Sequence, residues 1–268
     1  MFLKNQHLGT GYHRLLTRTK TGHTLNLDVH LWKTNTEPTT LDLVSSSDET
    51  VLLVLTGQVS ISINDQLPQT YQRDSLFDQI GTCLVLPPTT QIRCQTHQIP
   101  TEVLVLQTPN AQLNQPQIFD PTTVSEDYFG EGQWDNTALR LVRTYFDYDN
   151  LPTSNLVVGE VISYPGCWSS YLPHYHDQAE LYYFKFDHAN GFGISVIGDQ
   201  AHIVTENDLS VIEPNLVHPV VSAPGYPLYF CWIILHNPNQ PWKKDRKIDP
   251  NHAWLEAPNV SYWNKKKK

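Results

Sequence analysis

The chain carries little charge. Only 17% of its 268 residues are Asp, Glu, Lys or Arg, and the 18 basic residues are outnumbered by 27 acidic ones. The net charge is −9, and setting aside the four lysines at 265–268 takes it to −13. A body this acidic lacks the basic face that nucleic acid requires, so no nucleic-acid partner is expected. No apolar run approaches the roughly 18–20 residues that span a bilayer, and no membrane association is expected. Residues 1–13 are polar throughout and have no signal-peptide apolar region. Cysteine is scarce: Cys83, Cys94, Cys167 and Cys231 form no Cys-x-x-Cys pair, which removes zinc-finger and thioredoxin readings. With no secretion signal, buried reduced thiols in a cytoplasmic protein are expected. The run 265–268 reads as a basic, solubilising tail.

Helical periodicity is nearly absent as well. What is there instead is strand signal. Val51–Leu55 is a continuous apolar run, and Val59–Ile63 alternates with period two before the turn pair Asn64-Asp65. Cys83–Leu86 ends at two prolines, and Glu102–Leu106 lies between Pro100 and Pro109. The second half repeats the style at Leu156–Ile162, Leu181–Phe186, Phe192–Ile197, Leu209–Ile212 and Leu228–Leu235. Aromatics at 11% and apolar residues at 40% supply a sizeable core. The fold class expected is all-β, a sandwich or barrel.

Three elements of the first half recur in order in the second. Glu49 opens one apolar strand and Glu180 another, 131 residues later. Val85-Leu86-Pro87-Pro88 resembles Val211-Ile212-Glu213-Pro214 at an offset of 126, and each is followed by a final strand. This predicts a duplicated unit. The boundaries expected are a first barrel at 1–110, a linker at 111–137 rich in Asn, Gln, Asp, Gly and Pro, a second barrel at 138–264, and the tail at 265–268.

Of 12 histidines, nine stand alone; His202 is the one of these nearest to a candidate site. The exception is Pro173-His174-Tyr175-His176-Asp177-Gln178-Ala179-Glu180. On an extended segment, residues two apart share a face, so His174 and His176 can reach one ion. Glu180 follows at the start of the next strand, and His218 lies beyond the following strand and turn. Three imidazoles and a carboxylate suit one divalent first-row ion, Zn, Mn, Fe or Ni, with positions left for water or substrate.

His-x-His-x(3)-Glu followed by Pro-x(3)-His resembles the two metal motifs of cupins, small jelly-roll β-barrels with an ion in the mouth. Gly159–Ile162, Pro165–Tyr171, Pro173–Asp177, His218–Val220, Ala223–Tyr229 and Trp242–Trp254 resemble the 5-deoxy-glucuronate isomerase family of bacterial myo-inositol catabolism. The resemblance is dense over 155–256 and architectural over 1–140. It implies a bicupin, two tandem cupin barrels. It also implies an aldose–ketose isomerase that converts 5-deoxy-D-glucuronate to 5-dehydro-2-deoxy-D-gluconate. The implied metal ligands are His174, His176, Glu180 and His218. The alternatives are an isomerase of the 5-keto-4-deoxyuronate type, a bicupin dioxygenase and a non-enzymatic sugar-binding cupin. The chain departs from the family at Tyr175, where lysine is usual, and at Leu216, where glycine is usual.

For the chemistry, the candidate proton-transfer residues are Glu180, His202 and Tyr182. For the substrate, the candidates are Trp168 as an apolar wall, Ser169, Ser170, Tyr171 and Lys243 as partners for its carboxylate, and Tyr229. The 131 and 126 offsets match His174, His176 and His218 to Leu43, Ser45 and Ile92. None of these is a ligand, so a metal-free first barrel is expected. Aromatic strands at barrel edges suggest a homo-oligomer.

Overall fold

A computed structural model describes residues 1–4, 7–20, 22–257 and 260–263. The tail 265–268 lies outside the described residues. The chain is built of strands, and the described residues contain two short 3₁₀ turns, Trp134–Asn136 and Ala253–Glu256, as their helical elements. None of their helices is long and apolar enough to cross a membrane. All four cysteines are free and buried.

The first half forms a nine-stranded sheet that folds on itself around the 16-residue strand Asp48–Ile63. This strand pairs with Cys83–Leu86 and Glu102–Pro109 along its first part, and with Gln69–Arg73 and Gln91–Thr96 along its second. The switch occurs at a register shift between Val54 and Thr56 and at Gly57. Gly57 has φ +88°, and a Cβ there would lie 2.4 Å from the Pro100 carbonyl oxygen, so only glycine fits the bend. The second half divides the same architecture between two sheets. One is seven-stranded, with Glu180–Phe186 between Leu209–Ile212 and Leu228–Leu235. The other is four-stranded and contains Trp168–Ser169, Gly193–Ile197, Gln200–Val204 and Val220–Ser222. These are the two jelly-roll barrels of a bicupin.

Period-two alternation sorts each strand between two cores. In the first half, Leu52, Val54, Leu84, Leu86 and Val103 face one barrel interior. In the second half, Tyr182, Phe184, Phe230, Trp232 and Ile234 face the other. The intervening residues, among them Val51, Leu53, Leu104, Leu181, Tyr183 and Ile233, pack against one another in a third cluster shared by both halves. Buried ion pairs cross that shared core. The Arg73 guanidinium donates to both Glu160 oxygens at 2.7 and 2.9 Å, Arg143 approaches the same carboxylate at 3.3 Å, and the Tyr229 hydroxyl donates to it at 2.8 Å. Lys185 likewise reaches Glu102 at 2.6 Å.

Three expectations change here. The segment 111–137 is divided between the barrels, because Gln117–Phe119 pairs with Cys83–Leu86 and Glu126–Phe129 pairs with Arg140–Phe146. The span 1–110 does not belong wholly to the first barrel, since Phe2–Leu3 pairs with Leu209–Ser210 at the edge of the second barrel's sheet. Glu49 is not the counterpart of Glu180. Glu180 lies opposite Ile212, whereas Thr50 lies opposite Leu86. A one-residue slip in a strand reverses the face, so Glu49 points into the region between the barrels. There it accepts hydrogen bonds from Asn110 Nδ2 at 2.8 Å, Ser154 Oγ at 3.1 Å and the Asn155 amide at 2.9 Å. Burial pushes its carboxyl up to about 7 against the pull of these three donors.

Candidate metal centre and substrate cavity

Glu180 begins the central strand of the second barrel and shares its inward face with Tyr182 and Phe184. Two loops bring histidines over it. His174–Tyr175 is held by pairing with Lys247–Ile248, and the chain then turns so that His176 reaches back to Glu180. The loop after Leu209–Ile212 carries His218, and is fastened to the neighbouring strand by the Val196 and Gly198 amides donating to Pro219 and Val217. The Asn215 amide donates to the His176 carbonyl at 2.8 Å, tying one ligand loop to the other.

His176 Nε2 and His218 Nε2 lie 3.2 and 3.0 Å from Glu180 Oε2, and the ligand atoms of these three buried residues are all within 4.8 Å of one another. The His174 ring lies 4.9 Å from that of His218, centroid to centroid, beside this group of three. Each imidazole has Nδ1 against a backbone carbonyl: His174 on Leu172 at 2.8 Å, His176 on Gln178 at 2.9 Å, His218 on Leu216 at 2.7 Å. A carbonyl only accepts, so Nδ1 carries a proton and Nε2 is the ring atom left to offer a lone pair to a cation. His218 Nε2 is buried without a hydrogen-bond partner, although a carboxylate oxygen is 3.0 Å away. A lone pair facing an anion in a buried site calls for a cation between them. The separations of 3.0 and 3.2 Å match neighbouring ligands on one ion with bonds of about 2.0–2.2 Å. The residues therefore fit a divalent ion, and their Nδ1 contacts are the outer-shell bonds that orient metal-binding histidines. Burial, followed by the charge of His218, lowers His174 to about 3, which keeps it in the neutral form that binds metal. Burial alone would raise Glu180, but His218 and His176 outweigh it and hold the carboxyl far below its ordinary range.

The cluster opens on a cavity of about 1080 Å³. Ser169, Ser170, Tyr171, Tyr182, His174, His176 and Glu180 line it. The Tyr182 hydroxyl lies 2.8 Å from Ser170 Oγ and 3.4 Å from Glu180 Oε2. The other sequence candidates sit elsewhere. His202 is stacked on Phe2, with centroids 4.8 Å apart, on the outer four-stranded sheet. Tyr229 faces the shared core and serves Glu160. Lys243 lies over the Tyr148 ring at 5.0 Å and is not part of the cavity wall. Trp168 packs 5.8 Å from Tyr171 behind the wall. Sequence reasoning missed Arg140 and Arg246, which line the cavity, as do Ile248, Leu255, Glu256, Ala257, Val260 and Tyr262. Alternation along Arg140–Phe146 was the available signal for Arg140: Arg140, Val142 and Thr144 face the cavity, while Leu141, Arg143 and Tyr145 face the shared core.

The sequence profile of the KduI/IolB family matches residues 6–255. The chain belongs to this family. Among curated KduI/IolB-type relatives, the 5-deoxy-glucuronate isomerase of Geobacillus kaustophilus is 26% identical over 244 residues, covering 85% of each chain. Relatives carry the name of an isomerase, and the chain is an enzyme of that class. An IolB-like protein from Salmonella typhimurium superposes with a TM-score of 0.83 at 22% identity, covering 96% of this chain and all of that one. The oxalate decarboxylase of Lactobacillus farciminis superposes at 0.61 with 12% identity, covering 94% and 88%. At these identities both likenesses show the fold alone, and they place the KduI/IolB chain among the bicupins.

Proposed function

We propose that the chain is a metal-dependent aldose–ketose isomerase acting on 5-deoxy-D-glucuronate in myo-inositol catabolism, with 5-dehydro-2-deoxy-D-gluconate as product. The observation that carries this reading is the set of imidazoles whose Nδ1 atoms are tied to carbonyls and whose Nε2 atoms converge on Glu180. The names of its relatives support the substrate. His174, His176, Glu180 and His218 would hold the ion. When bound, a divalent ion supplies positive charge beside the oxygens on which negative charge develops.

Isomerisation moves a proton between adjacent carbons. Tyr182 stays protonated, since burial and then the nearby Glu180 raise its phenol well above the ordinary value. It therefore acts as a hydrogen-bond donor to a substrate oxygen, with Ser170 fixing its hydroxyl. Glu180 takes its contacts from His176, His218 and Tyr182 on Oε2, which leaves Oε1 facing the substrate. Held far below its ordinary range, this carboxylate is a weak base and orients the substrate more than it moves the proton. His202 takes no part, because it stacks on Phe2 and is not among the residues lining the cavity.

The test is turnover of 5-deoxy-D-glucuronate by protein loaded in turn with each of the four metals. Proton NMR should show the ketose appearing, with no oxygen consumed at an electrode. Absence of ketose with every metal, or oxygen uptake, overturns the reading. Turnover of 5-keto-4-deoxyuronate instead would reassign the substrate while keeping the reaction class.

A further inference from the structure

Arg140 and Arg143 lie three residues apart on one strand and face opposite ways. Arg143 enters the shared core and meets two carboxylates, Glu160 and Glu126. Arg140 enters the substrate cavity and meets none. Its Nη1 donates to the Ala138 carbonyl at 3.0 Å, and its guanidinium lies 5.4 Å from the centre of the Phe129 ring. Arg246, on the same cavity wall, sits over the Trp242 ring at 5.8 Å. Among the described residues no ion pair involves either arginine, although Asp127, Asp147 and Glu256 also border the cavity. The remaining cation on that wall, Lys244, is neutralised by Asp147 and Asp149 at 3.0 and 2.8 Å.

The two guanidinium groups line one cavity with His174, His176, Glu180 and Tyr182. Burial, followed by the charge of Arg246, lowers Arg140 to about 10. Arg140 is half-buried and Arg246 is exposed on the same wall; two like charges with neutral partners repel, and an anion placed between them relieves that repulsion. A guanidinium fork matches a carboxylate in two parallel hydrogen bonds.

We propose that Arg140 and Arg246 form an anion subsite that takes the carboxylate of the sugar acid and so directs its opposite, carbonyl end to the histidine–glutamate cluster. This rests on the isomerase reading above for the identity of the ligand, but the arginine pair specifies the class: a monocarboxylate sugar rather than a neutral one.

The experiment compares acid and neutral sugars on the metal-loaded protein. Wild type should turn over 5-deoxy-D-glucuronate with a kcat/KM about 100-fold or more above that for 5-deoxy-D-glucose, which has an alcohol in place of the carboxylate. Arg140→Gln and Arg246→Gln should each erase most of that ratio through KM, with metal content unchanged, and Arg140→Lys should restore part of it. In parallel, calorimetry with D-glucuronate and D-glucose reads the subsite without turnover. Wild type should bind the acid in preference, and the glutamine variants should not. Acid-selective binding that depends on the arginines, without isomerisation, upholds the subsite and overturns the isomerase reading. Turnover with an acid-to-neutral ratio within about threefold of wild type in Arg246→Gln overturns the subsite, even if Arg140→Gln does not fold.

Discussion

The two barrels share a topology and differ in what fills the mouth. In the second, His174, His176 and His218 converge on Glu180, and their rings are fixed by backbone carbonyls. In the first, Ile92 stands where the offset of 126 matches His218. It pairs with Leu43 in register, and both pack into the barrel's apolar interior. The counterpart of Glu180 is Thr50. Among the described residues, His176, Glu180 and His218 are the one group placed to hold an ion. The same scaffold thus serves two ends: apolar side chains across the mouth close a barrel, while imidazoles and a carboxylate keep it open. The strand architecture differs accordingly. The first barrel runs Asp48–Ile63 through both parts of its folded sheet without a break, whereas the second interrupts the corresponding course between Phe186 and Gly193.

Substitutions at matched positions test this contrast directly. Combining His176→Ala with His218→Ala should lower kcat/KM by about 10³-fold or more, the scale on which lost charge stabilisation is felt, and elemental analysis should show the ion gone. Activity surviving in that double variant would sink the metal mechanism. Glu160→Gln tests what joins the barrels, because it leaves Arg73 and Arg143 buried with less compensation. Chemical denaturation should show a loss of about 3–5 kcal/mol, with metal content unchanged until unfolding. Ile92→Ala, the first-barrel partner of His218→Ala, should cost about 2–4 kcal/mol of stability while kcat/KM stays within twofold (about 0.4 kcal/mol). A loss of metal in Ile92→Ala would refute the division of labour.

A weaker effect is expected from Glu49. Its carboxyl titrates near 7 in the folded chain against about 4.3 when unfolded. Between these values the folded state holds the extra proton. Stability therefore falls as pH rises from about 4.3 to 7 and levels off above, by at most about 4 kcal/mol from this group over the whole span. Glu49→Gln should flatten that slope in denaturation curves measured from pH 5 to 8. The smallest effect is expected at Lys243. Lys243→Ala should leave KM unchanged, since the ammonium lies over Tyr148 outside the cavity wall; a several-fold rise would return it to the site.

Much of this was readable from residue order. The strands at 83–86, 181–186, 209–212 and 228–235 followed from apolar runs ending at proline or polar turns, and the structure places them within a residue of those limits. The histidine pair, Glu180 and His218 stood out because i and i+2 on an extended segment share a face. What failed was phase. Tyr229 and Glu49 were assigned by neighbourhood, but each lies one position out of step with the inward face, and one step turns a side chain into the shared core. Within a continuous run such as Leu228–Leu235, both faces are apolar and nothing local marks which is inward. Lys243 and Arg246 are indistinguishable in the sequence for a related reason: in the irregular stretch after Trp242 no periodicity aims a side chain. Arg140 could have been placed, because its strand alternates.

The shared core also dictates an order of assembly as the chain leaves the ribosome. Val51, Leu53, Val85 and Leu104 lack part of their cover until the strands from Leu156 to Leu235 have been made. Arg73 likewise waits for Glu160, a further 87 residues along. The first barrel is therefore not a finished body at any point of its own synthesis. It is a half-covered template, exposed to aggregation until the second half docks. The strand His174–Tyr175 gains its partner only when Lys247–Ile248 emerges, so the histidine–glutamate cluster is completed in the last act of folding.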